Sequence, residues 1–358
     1  MDCVPIESGP FGLLASSFKV GNNRGDYPIV AKNMPNTRSI RRQPGILPAP
    51  TSIDDGWVLR SSSGLEILTA KLFDSIPWIL HGFSTRETGE SLINGTAALN
   101  LGFTDWDSRE TVERNRSSFL RAITAAKSAA KASANGATAQ RLVTLRQIHS
   151  DIVRVFSRAP VKVLQADAAT SRRAGLLLAI QTADCVPILL ADVRRHAVAA
   201  VHAGWRGTLR RIVMKTLGRM RAEFGTKPGD VIAALGPAIG PCCYEVGPEV
   251  AQAFSGQFSE AKEWFEGPFD RLATGEEPNP LPWLTMMPPG HEPPPERVQL
   301  DLRAANRWQL VDAGVRLRNI AVSTLCTGCR SDLFFSYRKE GAATGRMMSV
   351  IGMRAGSR

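Results

Sequence analysis

Residues 176–208 read LLLAIQTADCVPILLADVRRHAVAAVHAGWRGT. Three apolar runs stand in this stretch: Leu176–Ile180, Val186–Leu190 and Ala197–Val201. Each is too short for a helix and is bounded by turn residues, as buried strands are. The turn between the first two runs carries Asp184 and Cys185. The third run ends at His202, followed by Ala-Gly204-Trp-Arg206-Gly207. A helix is predicted over Thr208–Phe224, with Gly225 as its stop.

Outward from this stretch the same kinds of segment recur. Strand-like runs cover Leu65–Ala70, Trp78–Phe83, Leu142–Leu145, Ile152–Phe156 and Val231–Leu235. Helices fit Ser108–Ala126, capped by Asp107 or Ser108, and Leu302–Ala313, stopped by Gly314. Strands and helices mix without a regular βαβ alternation. That argues for one α/β domain, with mixed α+β as the alternative, built as a single layered sheet-and-helix body.

Residues 1–60 are basic and rich in Pro, Gly, Ser and Asn, without a sustained period, and read as an extended N-terminal tail. The folded body begins near Trp57, and the folded domain is taken as 61–358. Ala125–Gln140 is small and polar and reads as a linker or surface loop. The proline-rich stretch 267–296 reads as a surface insertion or lid.

Lys and Arg number 44 against 33 Asp and Glu, a net charge of +11. Such a surface attracts anions. No run of basic residues marks a nucleic-acid site, and no apolar stretch is long enough to span a membrane. The N-terminus lacks the pattern of a secretory signal. A cytoplasmic location with reduced thiols is therefore expected, with no nucleic-acid or membrane partner.

Three residues at predicted strand ends can ligate a metal: His149 in Arg-Gln-Ile-His149, Cys185 and His202. One thiolate and two imidazoles suit zinc, and three protein ligands leave a fourth position open, the mark of a catalytic site. A buried His and an inert core Cys would explain the same residues. Gly204-Trp-Arg206-Gly207 before a helix can cradle an anion, with Arg206 as a bidentate fork. It can equally be a tight turn with a surface Arg. Gly236-Pro-Ala-Ile-Gly240-Pro-Cys242-Cys243 and Cys326-Thr-Gly-Cys329 offer four thiols for a second metal site. Adjacent cysteines rarely face one ion, however, so unpaired thiols are the commoner outcome. Arg338 and Arg346 can bind phosphate or pair with acids.

Taken together, these blocks resemble the YfiH-like, or laccase-domain (multicopper polyphenol oxidoreductase), family. The resemblance runs through Arg-Gln-Ile-His149, Ala-Asp184-Cys185-Val-Pro, His202-Ala-Gly-Trp-Arg206-Gly and Gly-Pro-Cys-Cys-Tyr-Glu-Val. It continues through Leu-Asp301-Leu-Arg-Ala-Ala-Asn306, Phe-Ser-Tyr-Arg338 and Thr-Gly-Arg346, and covers about residues 76–353. It implies a sheet-and-helix domain likened to the cysteine-hydrolase fold, with His149, Cys185 and His202 as metal ligands. It also implies purine nucleoside phosphorylase activity, including methylthioadenosine, with adenosine deamination at the same site. Phosphate is then a co-substrate, Zn2+ the cofactor and copper the alternative metal. Asp184 and Arg206 become candidate catalytic residues, and Arg86, Asn100, Arg206 and Arg338 candidate substrate- or phosphate-binding residues. The chain departs from the family after Arg86, where Glu-Thr-Gly89-Glu-Ser91 replaces the usual Gly-Gly-x-Ser turn.

Competing readings stay open. A copper polyphenol oxidase needs His-rich centres, whereas His81, His196 and His291 share no spacing with the ligand set. A cysteine hydrolase editing cell-wall precursors would use Cys185 as nucleophile. A basic nucleotide-binding module would need no catalysis. Either a monomer or a homodimer is compatible with the sequence.

Overall fold

A computed structural model describes residues 51–54, 56–125, 140–275 and 297–355. Thirteen strands form its two large sheets: β1 Thr51–Asp54, β2 Trp57–Ser62, β3 Leu65–Ala70, β4 Ile79–Ser84, β5 Arg141–Val143, β6 Val153–Val155, β7 Ala168–Ser171, β8 Leu176–Thr182, β9 Val186–Asp192, β10 Ala197–Ala203, β11 Val231–Leu235, β12 Ile320–Val322 and β13 Met347–Met353. The first sheet has the order β1-β2-β3-β4-β13-β8-β5, the second β12-β11-β9-β10-β7-β6. Both mix parallel and antiparallel neighbours.

The helices used below are α1 Arg109–Ala125, α2 Trp205–Leu209, α3 Ile212–Phe224, α4 Pro248–Gln257, α5 Phe269–Thr274 and α6 Leu302–Asp312. Side chains alternate along each strand, so both faces of both sheets find partners. One face of the first sheet (Leu68, Leu178, Ile180, Ile351) packs on Leu189, Ala191, Val198 and Ala200 of the second. Its other face (Ile67, Leu80, Leu177, Val350) packs on Phe119, Ala122 and Ile123 of α1. The outer face of the second sheet (Ile188, Leu190, Val201) meets α3, α4 and α6 through Leu217, Phe254 and Leu302. The result is a helix–sheet–sheet–helix layering. β9 and β10, in the second sheet, are buried along their whole length, which accounts for their continuous apolar sequence.

Several elements differ from the expectation. Of the two expected caps, Ser108 is the one that caps α1, its Oγ accepting the Thr111 amide at 3.1 Å. The single helix expected over Thr208–Phe224 is two. α2 ends at Leu209, Arg211 takes a left-handed φ of 60°, and α3 starts at Ile212. The break follows α6: Asn306 Nδ2 donates to Thr208 Oγ1 and Gln309 Nε2 to the Thr208 carbonyl, both at 2.8 Å. Those tertiary bonds compete with helical continuation. Residues 269–274, expected to belong to a surface insertion, form α5, with Phe269 and Leu272 buried in the core. Residues 276–296 and most of the predicted linker, 126–139, lie outside the described residues. No described helix is long and apolar enough to cross a membrane.

The tail boundary at residue 60 also moves. β1 and β2 pair within the first sheet, and Trp57 is fully buried, edge-on to Phe83 at 5.1 Å between ring centroids. Deleting residues 1–50 is expected to leave stability and turnover intact. Deleting 1–62 should lower stability by about 3–5 kcal/mol or more, because a buried Trp and a paired strand are lost. Denaturant melts of both truncations check this, and a folded but inactive 1–50 deletion would contradict it.

Candidate metal centre and its cleft

Antiparallel pairing sets the centre. Val186 lies opposite Ala203 and Pro187 opposite His202, so the turn before β9 brings Cys185 beside the end of β10. His149 arrives on the loop between β5 and β6 with a left-handed φ of 56°, and Asp184 has a φ of 90°. Donor atoms of His149, Cys185 and His202 all lie within 4.8 Å of one another. Cys185 Sγ is 4.0 Å from His149 Nε2. Gly204 makes this possible: a Cβ there would sit 2.9 Å from Cys185 Sγ and 3.1 Å from His149 Cδ2.

Behind the trio is Asp167, which the sequence reading did not single out. It is fully buried. Its oxygens accept the backbone amides of Ile148, His149 and Ser150 at 3.2, 3.0 and 2.6 Å, and the Ser150 hydroxyl at 2.6 Å. Oδ1 also pairs with His202 Nδ1 at 2.8 Å. One carboxylate therefore anchors the His149 loop and orients the His202 ring, leaving Nε2 of His202 for a ligand. Nothing in Gln165-Ala-Asp167-Ala marks this locally. The only usable signal was the general rule that metal-binding imidazoles are backed by carboxylates.

Electrostatics follow from the packing. Burial alone would raise the Asp167 carboxyl, but the bonds from His202 and Ser150 hold it down to about 2. Burial likewise opposes ionisation of Cys185, yet the neighbouring imidazoles of His202 and His149 bring its thiol to about 6. Burial would lower His202, but Cys185 and Asp167 raise it to about 9. A ready thiolate between two imidazoles, one backed by a carboxylate, suits a borderline-soft divalent cation.

The three residues line a cleft of about 890 Å³ together with Asp184, Arg206, Arg338 and Arg346. Each arginine stacks on an aromatic ring: Arg206 on Trp205 at 4.4 Å, Arg338 on Tyr244 at 5.2 Å and Arg346 on Tyr337 at 5.6 Å. Arg116 stacks on Phe103 at 4.2 Å at the same cleft. The cleft thus offers several cations and flat aromatic surfaces beside the metal ligands.

Other expected site residues are placed differently. Asp184 lines the cleft, but both its oxygens are engaged, by Thr327 Oγ1 and by the Arg338 amide, each at 2.7 Å. Arg86 is not in the cleft wall. Its guanidinium donates to the Ser331 carbonyl and to Glu340, both at 2.7 Å, and lies over Phe335. Asn100 is fully buried and accepts the amides of Gly102 and Arg346, so it positions Arg346. Arg206 stands in the first turn of short α2, not ahead of the long helix α3. Among the remaining histidines, His81 accepts the Ala70 amide and packs on Phe73, while His196 packs on Trp78. His291 lies outside the described residues.

The fold and site define a two-sheet α/β protein with a candidate His-Cys-His metal centre in the wall of an arginine-lined cleft. Residues 80–354 match the family described as multi-copper polyphenol oxidoreductase laccase, and the chain belongs to that family. It is 34% identical over 282 residues to a protein named purine nucleoside phosphorylase YlmD from Geobacillus stearothermophilus, covering 76% of this chain and 89% of that one. It is 37% identical over 186 residues to adenosine deaminase RL5 from an unknown prokaryotic organism, covering 52% of this chain and 61% of that one. The crystal structure of YlmD from G. stearothermophilus superposes with a TM-score of 0.63 at 30% identity, covering 87% of this chain and all of the other.

Proposed function

We propose that this chain is a zinc-dependent purine nucleoside phosphorylase that also deaminates adenosine, accepting adenosine, inosine, guanosine and methylthioadenosine. The observation that carries this reading is the His149–Cys185–His202 set opening onto a cleft lined by stacked arginines and aromatic rings. The names of its relatives support it.

His149, Cys185 and His202 would hold the ion. When bound, the metal supplies Lewis-acid polarisation and an activated water. The protein's own groups do the rest. Aromatic walls from Tyr244, Tyr337 and Trp205 stack the purine. Arg206, Arg338 and Arg346 hold phosphate so that one of its oxygens attacks the ribose C1′ as the bond to the base breaks, giving ribose 1-phosphate and free base. In deamination, water adds at C6 of adenine and ammonia leaves, giving inosine. Asp184 acts by positioning, tying the Arg338 amide and Thr327 to the cleft wall.

The test is product analysis on adenosine with and without phosphate, alongside metal analysis. Adenine that forms only with phosphate, and inosine that forms without it, are the expected products. Purified protein that holds copper instead of zinc, or that releases no base with phosphate, would overturn the reading. Replacing Arg206 by Ala should raise the phosphate KM by about 10- to 100-fold, the worth of a charge-assisted hydrogen bond. Deamination, which uses water, should change far less. Equal loss of both activities would assign Arg206 a structural role.

One geometric feature favours a second reading. Asp167, His202 and Cys185 also form the array of a cysteine nucleophile with its base and orienting acid. His149 has no part in such a triad, whereas a metal site requires it.

A further inference from the structure

A second thiol cluster lies outside the centre described above. Cys242 and Cys243 sit on a 3-10 turn, Pro241–Cys243, and Cys326 and Cys329 on the turn that follows β12. An isolated bridge between Ala238 and Cys326, with the Thr327 amide donating to the Ala238 carbonyl at 3.1 Å, holds the two segments side by side. All four sulfurs lie within 4.8 Å of one another. Cys329 Sγ is 3.4 Å from Cys242 Sγ and 3.5 Å from Cys243 Sγ. Those separations are far beyond the roughly 2.05 Å of a disulfide. They are close to the edge of about 3.8 Å that a tetrahedron of thiolates has around an ion with bonds of about 2.3 Å.

The backbone is arranged for negative sulfur. The Gly240 amide donates to Cys326 Sγ at 3.1 Å. The amides of Cys329 and Gly328 bond the same sulfur, wrapping the Cys-Thr-Gly-Cys turn around it. Gly328 is required there: a Cβ would lie 2.9 Å from Cys243 Cβ and 3.0 Å from its Sγ. The tight Pro241–Cys243 turn also removes the objection to neighbouring cysteines, since it brings Cys242 and Cys243 to one side, each near Cys329.

We propose that Cys242, Cys243, Cys326 and Cys329 bind one zinc ion as a closed four-thiolate structural centre, separate from the His149–Cys185–His202 site. Four sulfurs complete a tetrahedron and leave no open position, so this ion stabilises and does not react. What it stabilises is the cleft wall. Thr327, inside the Cys326–Cys329 turn, donates to Asp184, and Tyr244, next to Cys243, lines the cleft. The ion joins these two wall segments on the surface side of the Ala238–Cys326 bridge, where Cys242 and Cys329 are exposed.

The test uses full-length protein purified with a reductant and without chelator. Elemental analysis should find about two zinc ions per chain, and about one in the Cys242→Ser/Cys329→Ser double variant or in His149→Ala. After cobalt exchange, the thiolate-to-cobalt absorption should shrink strongly in the double variant and largely survive in His149→Ala. Should the double variant fail to fold, the wild type answers alone: exposed Cys242 and Cys329 should resist iodoacetamide until a chelator is added, as peptide mass spectrometry reads out. Equal zinc in wild type and double variant, immediate alkylation of both cysteines, a Cys242–Cys329 disulfide in freshly reduced protein, or iron in place of zinc would each overturn the assignment.

Discussion

Stripping metal from the full-length protein is expected to abolish adenosine turnover, and added zinc to restore it. A Lewis acid in such a site is worth several kcal/mol of transition-state stabilisation, so the loss should be about a thousandfold or more. Cys185 reports the same event. As a ligand it is shielded and should alkylate slowly with iodoacetamide; once the metal leaves, its thiolate should react quickly. Because a chelator would also empty the four-cysteine centre, His149→Ala supplies the site-specific arm. It should lose turnover and expose Cys185 while the sulfur-rich centre stays filled. Loss of activity in Cys185→Ala alone decides nothing, since a ligand and a nucleophile fail alike. Full turnover in chelator, with rapid alkylation of Cys185 in active enzyme, would instead establish the Cys185–His202–Asp167 triad.

Replacing Asp167 by Ala is expected to cost about 3–5 kcal/mol of stability, the usual penalty for breaking a buried charged pair. The change orphans three backbone amides, the Ser150 hydroxyl and His202 Nδ1 in one buried spot. That is a large share of the roughly 5–15 kcal/mol that holds a domain together. Asp167→Asn keeps the shape and should fold, but it weakens the support of His202 and should lower metal affinity by about 10- to 100-fold. Denaturant midpoints and metal titration separate the two effects. Unchanged metal affinity in a folded Asp167→Asn protein would show that the carboxylate is structural only.

Much of the architecture was legible because strand signals are local. Leu176–Ile180, Val186–Leu190 and Ala197–Val201 are unbroken apolar runs, and they lie at the heart of the two sheets, where both faces are covered. The break before Ile212 was not legible, since it depends on Asn306 and Gln309, nearly a hundred residues away. The folded body was expected to begin near Trp57, but that Trp57–Ser62 forms a strand was not legible, since its pairing partners β1 and β3 are set by the sheet. Arg86 and Asn100 are expected to bind ligand, and their contacts to Glu340 and the Arg346 backbone could not be read from the sequence, because only the closed fold brings those groups near.

By itself the sequence determined the strand-rich core, the family and the three residue types of the candidate metal centre, because these rest on local periodicity and on side-chain chemistry that travels with the residue. Only the tertiary structure decided that Asp167 backs the centre, that Arg86 pairs with Glu340 and Asn100 with the Arg346 amide, and that four cysteines from two distant turns converge. Those facts are distances between segments remote along the chain, set by sheet register and loop closure, and no local pattern encodes them.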